Sequence, residues 1–285
     1  MTKIFCLITG ATDGIGRVTA RELGKLGWTL VLVSRNAQKG ERVARELRSE
    51  CRNEEIFFKQ ADLSLQQDVR RVAREFAEAY DRLDVLINNA GAIFWKSQKT
   101  AEGIEKTFAL NHLNYFLLTN LLLDRLSASQ SARIVNVASI AHIGATMDFD
   151  DLECAKAYKN FRGGWTAYQR SKLANIMFTA ALARRLEGSN ITANSLHPGF
   201  VRTRFGKDNG GWFALMLGIG MRFGAITVEK GAETPIYLAS SDDVAGVSGK
   251  YFAYCSEHQP KAPARDEAGQ EWLWEVSEAM TRQSQ

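Results

Sequence analysis

Short apolar runs alternate along this chain with stretches in which apolar residues recur every three to four positions. The first run, Lys3-Ile4-Phe5-Cys6-Leu7-Ile8-Thr9, predicts a buried strand. Gly10 to Gly16 then open a helical stretch reaching Leu26, and Trp28-Thr29-Leu30-Val31-Leu32-Val33 predicts a second strand. Helical spacing at Val43, Leu47 and Cys51 gives way to Ile56-Phe57-Phe58, and a helix over 64–80 precedes the strand Val85-Leu86-Ile87. Further strands are predicted at Arg133 to Val137, at Ile191 to Leu196 and near Gly249 to Phe252, with a long helix over 164–187. Strand and helix alternating from end to end imply an α/β fold, a doubly wound Rossmann-like parallel sheet of about seven strands with helices on both faces.

Length refines this picture. The chain has 285 residues, and α/β folds run to roughly 250 residues as one unit. With no repeat, linker or charge block to mark a boundary, residues 1–285 are expected to form a single domain. The surplus is assigned to an apolar segment at 204–228 and a C-terminal tail at 256–285.

Composition mainly excludes. The residues are 45% hydrophobic and 24% charged, values of an ordinary globular chain rather than a disordered or collagenous one. A formal net charge of +4, with no basic run, gives no reason to expect nucleic acid. Cys6, Cys51, Cys154 and Cys255 share no metal or redox spacing, and His112, His142, His197 and His258 show no paired spacing; no metal site is expected. The first strand leaves no room for a signal peptide, and the longest apolar stretch, Trp212 to Ile226, is shorter than the ~20 residues a spanning helix needs. A cytoplasmic location with reduced thiols is the expectation.

The loop after the first strand reads G-x-x-x-G-x-G at Gly10, Gly14 and Gly16, with Ile15 inside it. Glycines between a strand and a helix let the backbone approach a pyrophosphate, while the helix N-terminus offers unpaired N–H groups. An Asp or Glu at the end of the second strand would accept bonds from ribose hydroxyls and repel a 2′-phosphate, but the segment reads Ser34-Arg35-Asn36. A guanidinium can fork onto a phosphate, so Arg35, flanked by Ser34 and Asn36, favours NADP(H), the alternative being a solvated arginine. Asp13 in the loop works against this preference.

Tyr168 and Lys172 lie four apart on the long helix, hence on one face and about 6 Å apart along its axis. They are accompanied by Asn88-Asn89-Ala90-Gly91, Asn111, Ser139 and Pro198-Gly199. With these motifs the sequence resembles the short-chain dehydrogenase/reductase family over roughly residues 3 to 255. The resemblance implies a tetrad of Asn111, Ser139, Tyr168 and Lys172. Hydride transfer to a carbonyl leaves an oxygen that needs a proton, and Tyr168 is expected to give it. Moving a phenol from about 10 to about 7 takes roughly 4 kcal/mol of preference for the phenolate, which Lys172 and, in the oxidised state, the nicotinamide cation are expected to supply. Ser139 would hold the substrate oxygen. The family further implies that Lys172 binds the nicotinamide ribose and that Asn111 holds a water of a proton relay. It places Thr9 and the stretch Asn88, Asn89, Ala90 and Gly91 along the cofactor cleft, Asp62 and Leu63 at the adenine, and Pro198, Gly199, Val201 and Thr203 at the nicotinamide. Asn114 departs from the family's usual glycine, with an expected effect on helix packing or subunit contact.

Residues 140–167 and 204–228 should border the substrate, because ligands bind beyond the carboxyl ends of the strands in such sheets. Trp212, Phe213, Leu215, Met216, Leu217, Met221 and Phe223 suit an apolar lid over a hydrophobic carbonyl or alcohol; a subunit interface or peripheral membrane contact is the alternative. Phe108 to Leu113, Asp148 to Leu152 and Ser171 to Asn175 resemble the retinol dehydrogenase-like branch, which implies NADP(H) and apolar aldehydes. A homodimer or homotetramer pairing through the helices after the fourth and fifth strands is also implied. A retinoid-specific dehydrogenase and a non-catalytic NADPH-binding sensor or scaffold stay as alternatives.

Overall fold

The structure, a computed structural model, describes residues 3–201 and 226–282. Its strands are β1 (Phe5–Thr9), β2 (Thr29–Ser34), β3 (Ile56–Gln60), β4 (Val85–Asn88), β5 (Ala132–Val137), β6 (Ile191–His197), β7 (Tyr251–Ala253) and β8 (Ser256–His258). The helices that cover them are α1 (Gly14–Lys25), α2 (Ala37–Cys51), α3 (Gln66–Ala79), α4 (Lys106–Phe108), α5 (Asn114–Leu121), α6 (Leu123–Ser127), α7 (Gly163–Arg185), α8 (Val228–Ser240) and α9 (Glu267–Thr281). The strands form one 8-stranded sheet in the order β3-β2-β1-β4-β5-β6-β7-β8, parallel except for β8.

Alternate residues of each strand feed opposite layers, because successive side chains of a strand point to opposite faces. Leu7, Val31 and Val33 pack with Val72 and Phe76 of α3, Tyr115 and Leu118 of α5, and Phe178 of α7. Cys6, Ile8, Leu30 and Leu32 pack instead with Leu23 of α1, Val43 and Leu47 of α2, and Leu238 of α8. Strands buried on both sides read as continuous apolar runs, which is why they are visible in the sequence.

The eighth strand is not among the predicted ones. Residues expected as a tail form β8, which covers the β7 edge, and α9, which lies on the outer side of α5 and α7. There Trp274 meets Phe116 and Phe178 at ring separations of 4.9 and 5.8 Å, and the Arg185 guanidinium sits 4.0 Å from the Trp274 ring. Ser277 Oγ is 2.8 Å from His112 Nε2. The helices through which subunit pairing is implied thus carry a helix of their own chain. Of the expected 204–228 segment, 204–225 lie outside the described residues, and Thr227 caps α8 by accepting the Lys230 N–H. No helix among the described residues is long and apolar enough to cross a membrane.

Candidate active site

The connections reverse direction between β1 and β4, which opens a crevice at the carboxyl ends of these strands. Thr9 closes β1 there: its Oγ1 accepts the N–H groups of Asn89 and Ala90 at 2.9 and 3.0 Å and donates to the Ile87 carbonyl. Asn89 answers by donating from Nδ2 to the carbonyls of Thr9 and Gly10 at 2.9 and 3.2 Å. Gly10 turns with φ +66°, and a Cβ on Gly16 would fall 2.4 Å from the Gly10 carbonyl oxygen, so only glycine lets α1 start this close to β1. Gly14, Ile15 and Gly16 form the first turn of α1, where N–H groups lack intrahelical acceptors. Asn89, within the Asn88 to Gly91 stretch expected along the cofactor cleft, is the clamp that joins the two loops.

Ser34 ends β2 with its Oγ buried and without a partner among the described residues. Beside it Arg35 is exposed and makes no ion pair among the described residues, while Asn36 caps α2 by accepting the Lys39 N–H at 2.8 Å. Lys39 Nζ reaches across to Asp13 Oδ2 at 2.6 Å, although 26 residues separate them. The acid that counted against a phosphate is therefore paired with a lysine of the next connection, a contact that periodicity could not reveal. A buried hydroxyl without a partner among the described residues, next to an exposed guanidinium, fits a phosphorylated ribose. Asp62 Oδ1 accepts both the N–H and Oγ–H of Ser64, and Leu63 is buried. Asn88 turns inward: its Nδ2 donates to Thr119 Oγ1 and Asn136 Oδ1, and Asn136 donates on to Thr179.

Four predicted catalytic residues come to one place from three parts of the chain, the π turn after α4, the end of β5 and α7. Asn111 sits in a π-helical turn, Ala109–Leu113, between α4 and α5. Its Oδ1 accepts the Ala92 N–H at 2.9 Å, while Nδ2 donates to the Ala92 carbonyl and to Ser171 Oγ, both at 2.9 Å. The side chain is thus a bracket between the loop after β4 and α7, where the resemblance implied a water holder. Asn114 follows the π turn and donates to the Leu110 carbonyl at 3.3 Å, so its place is in helix packing. A Cβ on Gly91 would meet both Asn111 Oδ1 and Lys172 Nζ at 3.2 Å, which locates the ammonium at this bracket.

Ser139 caps a 3-10 turn, Ile140–Gly144, accepting the Ala141 N–H at 3.2 Å, and it hydrogen-bonds Tyr168. Tyr168 packs against Ile93, Ala141, Trp95 and Trp165. Lys172 is buried beneath it, donating to the Val137 carbonyl at 2.9 Å, with Nζ 5.5 and 5.9 Å from the ring centres of Tyr115 and Tyr168. Burial pushes the Tyr168 phenol up to about 12, against the pull of the Ser139 bond. The same burial pushes Lys172 down to about 7. The expected lowering of Tyr168 by Lys172 is thus reversed in the protein alone, because desolvation disfavours both charged forms. Pro198 and Gly199 follow β6, with Gly199 at φ +89° and Val201 bridged to Ile226; Thr203 lies outside the described residues. Among the described residues no cluster of His, Cys, Asp or Glu could hold a metal ion.

A crevice of this kind over a Ser, Tyr and Lys set defines a dinucleotide-dependent oxidoreductase, and comparison with known proteins supports this. The short chain dehydrogenase family model matches residues 5–149 and 154–212. The chain belongs to the short-chain dehydrogenase/reductase family, whose members use a nicotinamide cofactor. It is 42% identical to human retinol dehydrogenase 14, covering 96% of this chain and 85% of that protein. With human retinol dehydrogenase 13 the identity is 40%, over 95% of this chain and 82% of the relative. A crystal structure of an uncharacterized protein from Mycobacterium paratuberculosis superposes with a TM-score of 0.78 at 32% identity, over 98% of this chain and 94% of that one. The Pseudomonas aeruginosa RhlG/NADP active-site complex matches with a TM-score of 0.69 at 26% identity, over 88% of this chain and 94% of that one.

Proposed function

We propose that this protein moves a hydride between NADP(H) and an apolar carbonyl or alcohol. The observation that carries this reading is the meeting of Ser139, Tyr168 and Lys172 under an apolar wall of Ile93, Ala141, Trp95 and Trp165. The cleft residues Thr9, Gly10, Gly14, Gly16 and Arg35 would hold NADPH, whose chemistry when bound would be hydride donation to the carbonyl carbon. Ser139 Oγ orients the carbonyl oxygen, and Tyr168, which keeps its proton through neutral pH, transfers it from Oη to that oxygen. The phenolate left behind favours charge on Lys172, which titrates near neutrality and can return a proton. Exposed Ile140, Ile143, Phe200 and Tyr254 follow strand ends on the crevice side and suit an apolar substrate. The named relatives make retinal a natural member of a test panel.

The direct test follows loss of nicotinamide absorbance when the protein and NADPH meet retinal, apolar aldehydes and small ketones. Turnover of apolar carbonyls is expected; a flat response across the panel favours the non-catalytic sensor. The cofactor choice has its own test. Arg35→Asp removes a charge-assisted fork onto the 2′-phosphate, worth roughly 1.5–3 kcal/mol, and adds repulsion. It should weaken NADPH about tenfold or more and shift preference toward NADH. A wild type that already prefers NADH would end the argument from Arg35.

A further inference from the structure

Two buried histidines outside the tetrad hold the backbone at the carboxyl ends of the neighbouring strands β5 and β6. His142 Nδ1 lies 2.8 Å from the Ser139 carbonyl, and the His142 N–H donates to the same oxygen at 3.2 Å. A carbonyl can only accept, so His142 Nδ1 carries the hydrogen. His197, which ends β6, accepts the Gly199 N–H on Nδ1 at 3.0 Å, so there Nδ1 is bare. Both imidazoles pack on Tyr251 of β7, at ring separations of 5.0 and 5.9 Å, and His197 also meets Tyr254 edge-on at 5.6 Å. His142, His197 and Tyr251 are each 5% exposed or less. Burial holds His142 below its usual value and His197 down to about 4, so both rings are neutral at pH 7, as the accepting Nδ1 of His197 requires.

We propose that His142 and His197 are positioning residues joined through Tyr251: His142 fixes the Ser139 peptide and so aims its hydroxyl, and His197 fixes the Pro198-Gly199 turn on the cofactor side. The inference rests on the oxidoreductase reading of this site, and it adds a physical link between the strand ends after β5, β6 and β7. A shift of Tyr251 would move the substrate side and the cofactor side together. Sequence spacing gives no hint of this, since 55 positions separate the two histidines.

The test separates the hydrogen bond from the ring. His142→Phe keeps an aromatic ring against Tyr251 but loses the donor, whereas His142→Asn restores a short N–H donor. His197→Phe and His197→Asn make the same contrast for an acceptor. With a carbonyl that the wild type reduces, His142→Phe should lower kcat about tenfold with NADPH affinity nearly unchanged, and His142→Asn should recover most of it. His197→Phe should weaken NADPH binding about tenfold, read by nicotinamide fluorescence titration, and His197→Asn should recover it. Tyr251→Leu should impair both readouts. If Phe and Asn variants behave alike at each position, with parallel losses in melting temperature, the rings only fill space and the proposal fails. Should the wild type reduce nothing, the oxidoreductase reading fails while the NADPH titration of the His197 pair still decides the cofactor half.

Discussion

Tyr168→Phe is expected to lower NADPH-dependent carbonyl turnover by about 10²–10⁴-fold, the range a positioned general acid contributes. The substitution deletes one oxygen and keeps the ring that packs with Ile93, Ala141, Trp95 and Trp165. The fold and the loop at Gly10 to Gly16 should therefore be untouched, and NADPH affinity nearly unchanged. Among the described residues the phenol is the group that combines a proton held to about 12 with a bond to Ser139. Ser139 cannot take over, because a serine hydroxyl is a far weaker acid with no cation beneath it. A single-turnover measurement with saturating NADPH separates this loss from slow product release. Unchanged turnover in the variant would remove Tyr168 from the reaction and with it the assignment of the tetrad.

The contrast between Tyr168 and Lys39 shows which features a sequence can display. Tyr168 and Lys172 are legible because the helix fixes their spacing: four residues apart always means one face. The strands are legible because burial on both sides leaves a continuous apolar run, as at Leu30 to Val33. Lys39 pairs with Asp13 across two different strand-helix connections, and nothing local encodes that contact. The hairpin to β8 is hidden for another reason. Tyr254 and Cys255 both adopt positive φ, at 51° and 59°, where a sequence reader expects Asn or Gly, and the Cys255 N–H is held by Thr234 Oγ1 from α8. β8 itself is short, exposed and polar, so it has no apolar signature at all. Ionisation is the least legible feature: the order Tyr-x-x-x-Lys suggests a lowered phenol, yet burial of both groups raises one and lowers the other.

That burial makes Lys172 a liability to the fold, and Lys172→Met is expected to inactivate the enzyme while stabilising it. The folded chain releases this proton near pH 7, whereas an unfolded lysine keeps it to about 10.5. Between those values the unfolded state binds more protons, so stability should rise with pH across the window, and the cost of the charge is fully present below it. A shift of this size corresponds to roughly 4 kcal/mol at pH 7, as an upper bound. Methionine removes the charge at similar length and loses one bond, Nζ to the Val137 carbonyl, worth about 1 kcal/mol. That carbonyl still accepts from Tyr115 Oη at 3.4 Å, so it is not left without a donor. A net gain of about 2 kcal/mol or more at pH 7 should appear as a higher urea midpoint, with the gap to wild type narrowing toward pH 9.5. A variant that is less stable than wild type at pH 7, or a gap that does not narrow with pH, would mean that the ammonium is held by partners stronger than one carbonyl and two aromatic rings. On the proposed reaction, a group that titrates near neutrality beneath Tyr168 can charge when the phenolate forms, and a permanently neutral side chain cannot, so the same substitution that stabilises the fold should remove turnover.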